Sequence, residues 1–208
     1  MAELFYFETL NPRKACAVAK YLKSPIEYVR LDPKKGEHKT PEHLARHPFG
    51  RVPVLVDGKD NVWESSAIMV WLATHAHSEL WPSEPAKQVD VVRWMSWDAL
   101  HFLPHASAFY FEHYIKRLFG LGAPDEAALA AKAKLFHQSA KVLDAELGTR
   151  QYVAGDALSV ADFCVAATLP QAEEIHLPIA EYTNIRRWHD VMMQLDAWRN
   201  PWPAPPMM

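Results

Sequence analysis

A proline at the head of an apolar run constrains this chain of 208 residues more than any other feature. Pro53 stands between Val52 and the run Val54-Leu55-Val56, which reads as a buried strand. Proline has no N–H and tolerates a cis peptide bond, so it suits the entry to a strand rather than its middle. Placed there, it turns the backbone of Val52 outward and leaves one N–H and one C=O to pair with an extended peptide. Asp57-Gly58 is a turn of the kind that closes a hairpin. After a second short strand, Glu64-Ser65 opens an apolar helix over 67–73. A helix N-terminus offers unpaired N–H groups and partial positive charge, which suits a carboxylate. The stretch 49–68 therefore joins a strand-like backbone edge to an anion site. The simpler alternative is a plain hairpin followed by a capped helix.

Around this stretch the pattern is of two kinds. Leu4-Phe5-Tyr6-Phe7 reads as a buried strand, and a helix follows over 12–23 with Pro12 in its first turn and Ala15, Val18, Ala19 and Leu22 on its apolar face. Ser24-Pro25 ends it, and 26–31 reads as a second strand, parallel to the first through a right-handed crossover. Residues 32–39 read as a loop and 41–46 as a short helix. Residues 1–78 thus form one domain of order β-α-β-α-β-β-α. A linker follows over 79–86, where Trp81-Pro82-Ser83-Glu84-Pro85 breaks regular structure. Beyond it, 89–119 and 126–147 have apolar residues at mixed spacings of three and four and read as long amphipathic helices, the first divided or kinked at Pro104. The domain 87–208 is therefore all helical, with a proline-rich tail from Asn200. Ser159-Val160-Ala161-Asp162 reads as a capping box with a structural role.

Bulk properties exclude several classes. A net charge of −3 gives no basis for a nucleic-acid or anionic-membrane partner. No apolar run is long enough to span a bilayer, and Met1-Ala2-Glu3 lacks the basic start of a signal peptide. The two cysteines, Cys16 and Cys164, form neither a metal-spacing motif nor a disulfide framework. A cytoplasmic protein without bound metal is expected.

Val52-Pro53 and Glu64-Ser65, within the string His47-Pro48-Phe49-Gly50-Arg51-Val52-Pro53, Leu55, Asp57-Gly58 and Glu64-Ser65-Ser66-Ala67-Ile68, resemble the glutathione-binding signature of the cytosolic glutathione S-transferases, most of all their phi and theta-like branches. The second-domain capping box is similar to that of the same family, so the resemblance spans about residues 4 to 195. It implies a thioredoxin-like first domain, a helical bundle and a homodimer. It also implies that glutathione is the co-substrate, conjugated as thiolate to a hydrophobic electrophile. The same resemblance admits a glutathione-dependent peroxidase or dehalogenase, or a non-catalytic binding module of this fold.

The chemistry then falls to the turn after the first strand. A thiol of pKa about 8.5 is only a few per cent thiolate at neutral pH, and lowering it by about two pH units, roughly 2.7 kcal/mol, makes thiolate the major species. A hydroxyl at the start of the first helix supplies a hydrogen bond beside the helix dipole. The phi and theta serine, four residues before an arginine, corresponds to Thr9 when counted back from Arg13. Thr9 is the first candidate donor, Asn11 the second and Tyr6 a weaker third, with Arg13 adding positive charge. The alternative for Thr9 is a simple helix cap. Cys16, inside the helix, reads as a small core residue.

The resemblance assigns His38 and Lys39 to the glycine carboxylate of glutathione, although both residue types also suit a solvated loop. Arg51 reaches the same carboxylate, points to solvent or pairs across a dimer. Val52, positioned by Pro53, pairs with the cysteinyl backbone. Glu64 binds the γ-glutamyl ammonium and Ser65 its carboxylate. The acceptor pocket is expected between the domains on the first long bundle helix, with Trp97, His101, Phe102, His105, Phe109 and Tyr110 as candidates because aromatic side chains suit apolar acceptors. His101 and His105 have metal-compatible spacing but no third ligand, so no metal is expected.

Overall fold

The computed structural model describes residues 1–203, and the expected proline-rich tail from 204 onward lies outside them. The described chain divides into two compact units: Met1–Trp81 together with residues 195–203, and Pro82–Gln194.

In the first unit, β1 (Ala2–Tyr6) is followed by α1 (Leu10–Tyr21), β2 (Ile26–Arg30), α2 (Pro41–Arg46), β3 (Val54–Asp57), β4 (Asp60–Trp63) and α3 (Ser65–His75). The sheet order is β2-β1-β3-β4. β1 and β2 are parallel, with Leu4 opposite Tyr28, whereas β3 runs antiparallel to both β1 and β4. The long α1 crossover permits the parallel pair, and a two-residue connection permits the antiparallel one. Asp57 pairs with Asp60, so the hairpin turns at Gly58-Lys59, one residue later than the sequence pattern suggested. The inner strands are the apolar ones: Leu4, Phe5, Tyr6, Val54 and Leu55 are buried, while most of β4 is exposed at the edge. α1 and α3 pack against each other, and Ala15, Val18, Ile68, Met69 and Leu72 on these helices are buried.

Three local expectations are corrected. α1 begins two residues earlier than expected, at Leu10, which puts Pro12 at its third position, still within the turn that needs no N–H. The expected loop 32–39 contains two short 3₁₀ turns, Pro33–Lys35 and Glu37–Lys39, because the Asp32 carboxylate accepts the Lys34 N–H at 2.9 Å and the Glu37 carboxylate accepts the Asp32 N–H at 2.6 Å. The residues after Leu195 were expected with the bundle but group with the first unit. There Arg13 donates to the Trp198 carbonyl at 2.7 Å, Lys20 donates to the Asn200 carbonyl at 2.6 Å, and Trp202 stacks on Tyr6 at 6.0 Å.

The second unit contains α4 (Pro85–Trp97), α5 (Leu103–Phe109), α6 (Lys116–Phe119), α7 (Glu126–Leu147), α8 (Val160–Val165) and α9 (Thr183–Met192). The first long helical stretch is divided at Pro104, as proline requires. Residues Asp98–Phe102 adopt a π turn in which the Leu103 N–H bonds to the Asp98 carbonyl, one residue further back than in an α-helix. A second π turn, Tyr110–Ile115, precedes α6. α7 spans the range its periodicity indicates, and the Asp125 side chain caps it by accepting the Ala128 N–H at 3.0 Å. Phe102, Phe136, Leu143, Phe163 and Trp188 fill the core. Among the described residues no helix is long and apolar enough to cross a membrane, and no group of three or more His, Cys, Asp or Glu side chains is arranged to hold a metal ion.

Candidate active site

The segment 47–53 is held by a frame of hydrogen bonds. The Gly50 N–H donates to the His47 carbonyl at 2.8 Å, and the Phe49 N–H donates to His47 Nδ1 at 3.3 Å. Lys39 Nζ donates to the Phe49 carbonyl at 3.1 Å, and His43 Nε2 meets the Arg51 carbonyl at 2.8 Å. Gly50 has φ +58°, and a Cβ there would stand 2.7 Å from the His38 carbonyl oxygen, so the loop and this segment approach as closely as only glycine allows. The Val52-Pro53 bond is cis. Among the described residues, the Val52 N–H and C=O have no hydrogen-bond partner, although Val54, two residues on, is in register with both Phe5 and Trp63. Val52 is half-buried, Pro53 buried and Arg51 exposed.

Glu64 follows β4 with φ +72° and ψ 121°, a conformation that costs a non-glycine residue on the order of 1–3 kcal/mol. It occupies the cap position of α3 but makes no side-chain capping bond, and its carboxylate is exposed. Ser65 is therefore the first helical residue rather than the cap, and its side chain is buried. The start of α3, with Ser65 as its first residue, is the helix end whose positive dipole suits an anion.

The turn after β1 is arranged differently from expectation. Thr9 stands at the cap of α1 without capping it: its hydroxyl makes only a 3.5 Å contact with the Phe7 carbonyl, at the outer limit of a hydrogen bond. The hydroxyl is thus not committed to the helix. Asn11, in the first turn, is exposed. Arg13 was expected to place charge near the sulfur. It is instead 6% exposed, bonded to the Trp198 carbonyl, with its guanidinium 5.0 Å from the Trp198 ring centroid. Tyr6 is buried between Tyr28 and Trp202, and burial raises the pKa of its phenol. Cys16 is wholly buried, which pushes its thiol above the ordinary range.

Residues 3–74 match the family described as glutathione S-transferase, N-terminal domain, and residues 99–196 match glutathione S-transferase, C-terminal domain. Glutathione S-transferase 3 of Zea mays is 34% identical over 197 residues, spanning 87% of this chain and 86% of its own length. The chain belongs to the glutathione S-transferase family. A probable glutathione S-transferase of Oryza sativa subsp. japonica is 32% identical over 188 residues, spanning 88% and 86% of the two chains. Among solved structures, glutathione S-transferase III in apo form superposes with a TM-score of 0.83 at 29% identity over 99% of both chains. Glutathione transferase F7 from Populus trichocarpa, at 21% identity, shares the fold with a TM-score of 0.90 over 97% of each chain.

Against the glutathione S-transferase fold, the loop candidates fall close together. His38 is half-buried, and burial followed by the neighbouring Lys39 charge lowers its pKa. Lys39 spends one of its three N–H donors on Phe49 and keeps two for an anion. The acceptor candidates of the second unit scatter. Phe102, Phe109 and Tyr110 are buried, and Phe102 and Phe109 pack on Phe136 at 5.4 and 6.2 Å. Trp97 is half-buried and stacked on Phe102 at 5.6 Å. His101 is exposed, and His105 is half-buried with its Nδ1 unpartnered among the described residues. The aromatic stripe is thus mainly core. The sequence reading missed His43, which is buried with its Nε2 at the Arg51 carbonyl. Its position four residues before His47 was the available signal.

Proposed function

We propose that this chain is a glutathione transferase that binds glutathione along Val52 and the N-terminus of α3, ionises its thiol, and directs the thiolate at an electrophilic carbon of a hydrophobic acceptor. The observation that carries the reading is the Val52 N–H and C=O, unpartnered among the described residues, together with the strained Glu64 at the start of α3. An extended peptide pairs with that backbone edge as an added strand does. Glu64 answers the ligand's ammonium, the α3 amides with Ser65 answer the γ-glutamyl carboxylate, and Lys39 with His38 and Arg51 takes the glycine carboxylate. Family membership supports the same assignment.

For the sulfur, Thr9 is the first donor because its hydroxyl is not engaged in capping α1, and Asn11 is the second. Binding both substrates side by side supplies much of the rate through proximity. A homodimer is the proposed assembly. Phe49 is 63% and Trp63 38% exposed, and the two rings pack together at 6.3 Å as an aromatic patch suited to a second copy. The cytosol is the proposed compartment.

The test is a glutathione titration that follows the ultraviolet absorbance of bound thiolate near neutral pH in the wild type, Thr9→Ala and Asn11→Ala. Saturable absorbance lost in Thr9→Ala with binding retained makes Thr9 the donor. Loss in Asn11→Ala alone transfers that role to Asn11. A wild type that binds no glutathione refutes the transferase reading.

A further inference from the structure

We propose that His43 is a positioning residue that aims the Val52 N–H at glutathione. The proposal rests on the reading of Val52 as the glutathione-pairing edge.

The Arg51 carbonyl and the Val52 N–H belong to one planar trans peptide, so they point in opposite directions. His43 Nε2, 2.8 Å from that carbonyl, must carry the proton, because a carbonyl oxygen only accepts. A bond that draws the carbonyl toward α2 therefore turns the Val52 N–H away from α2, toward the open edge. No other hydrogen bond holds this peptide among the described residues. The peptides 47–48, 48–49 and 49–50 are fixed separately, through His47, Lys39 and the Gly50 N–H.

The choice of side chain supports the role. His43 is 1% exposed, its ring lies 6.2 Å from that of Phe5, and its Nδ1 is buried without a partner among the described residues. An apolar ring would fill this space without stranding a nitrogen, and stranding one is unfavourable. What the imidazole adds over such a ring is the bond to Arg51. Thr40 fixes the backbone beneath it, its hydroxyl accepting the His43 N–H at 3.3 Å. The imidazole thus stands on a capped helix start.

His43 touches no substrate in this arrangement, so its effect should appear in glutathione affinity alone. Two variants separate this from general stability. His43→Phe keeps the ring and removes the donor, whereas His43→Gln offers an amide N–H at a similar reach. The expected result is a rise of about fivefold in the Kd and KM for glutathione in His43→Phe. The kcat at saturating glutathione and the pH at which the bound thiol ionises should stay unchanged. His43→Gln should return the affinity to within about twofold. Unaltered glutathione affinity in His43→Phe overturns the proposal while leaving the transferase reading intact. Equal losses in both variants, accompanied by a lowered kcat, also overturn it and make His43 a packing residue. Wild-type protein that binds no glutathione overturns the underlying site reading, and the proposal with it.

Discussion

Asp162 is the residue on which the second unit should depend most. Its carboxylate is wholly buried and accepts four hydrogen bonds: the Val153 N–H at 2.9 Å, the Ser159 N–H at 2.9 Å, the Ser159 hydroxyl at 3.2 Å and the Trp188 indole N–H at 3.0 Å. It thereby ties the turn before α8, the α8 cap and α9 together. Replacement by alanine strands three N–H donors, each costing about 1–3 kcal/mol when buried and unsatisfied. Removing a desolvated carboxylate offsets part of this. A net loss of about 3–4 kcal/mol is expected, at the upper end for a point substitution. Asparagine keeps the oxygen that serves Val153 and Trp188 but turns an amide N–H toward the Ser159 N–H, so about 1–2 kcal/mol is expected for Asp162→Asn.

The assay is reversible urea unfolding of wild type, Asp162→Ala and Asp162→Asn at pH 4 and pH 7. Burial, the dominant influence, raises the folded carboxyl pKa to about 6 against the opposing pull of its four donors. The unfolded value is about 3.9. A raised folded value means that the native state holds the proton more tightly. Its stabilising contribution is therefore fully present below about pH 4 and is lost as the pH rises through about 6. The wild type should exceed Asp162→Asn by more at pH 4 than at pH 7. A gap that widens with pH would mean that the donors outweigh burial, and an alanine variant losing under about 1 kcal/mol would refute the hub itself.

Three further outcomes follow from single contacts. Gly50→Ala should lose about 2–3 kcal/mol in thermal or urea unfolding, since it adds left-handed strain to a 2.7 Å approach to the His38 carbonyl, and should weaken glutathione binding in the same protein. Asp144→Ala should lose about 1–2 kcal/mol, because that carboxylate accepts the Asn184 and Ile185 N–H groups at 2.9 and 3.0 Å and so caps the start of α9 from α7; urea unfolding monitored by circular dichroism checks it. Glu64→Ala should raise the glutathione Kd by about tenfold while relieving little backbone strain, measured by isothermal titration beside Glu64→Gln, which keeps the size but not the charge.

What the sequence made legible is what local rules govern. The apolar run 54–56 and the turn residues beside it placed the β3–β4 hairpin to within one residue, the short helix read over 41–46 is α2, and the Ser159–Asp162 spacing named a capping box that the structure contains, because such signals act over a few residues. Arg13 shows where that legibility ends. Its position in the first turn of α1 invited an electrostatic role, yet its guanidinium is taken by a carbonyl 185 residues away in the chain, a partner that no periodicity marks. Phe109 and Tyr110 were candidates for a pocket wall, although most of such an aromatic stripe is usually core; the spacing is the same in both, and only their burial separates the two readings. His43 is the converse case. In the sequence it is one polar residue in a short helix, ordinary at a surface. Its significance lies in one carbonyl eight residues on and in the planarity of the peptide that carries it. Residues that act through backbone atoms of a neighbouring segment leave no side-chain motif, so the supporting layer of a binding edge emerges only once the chain is folded.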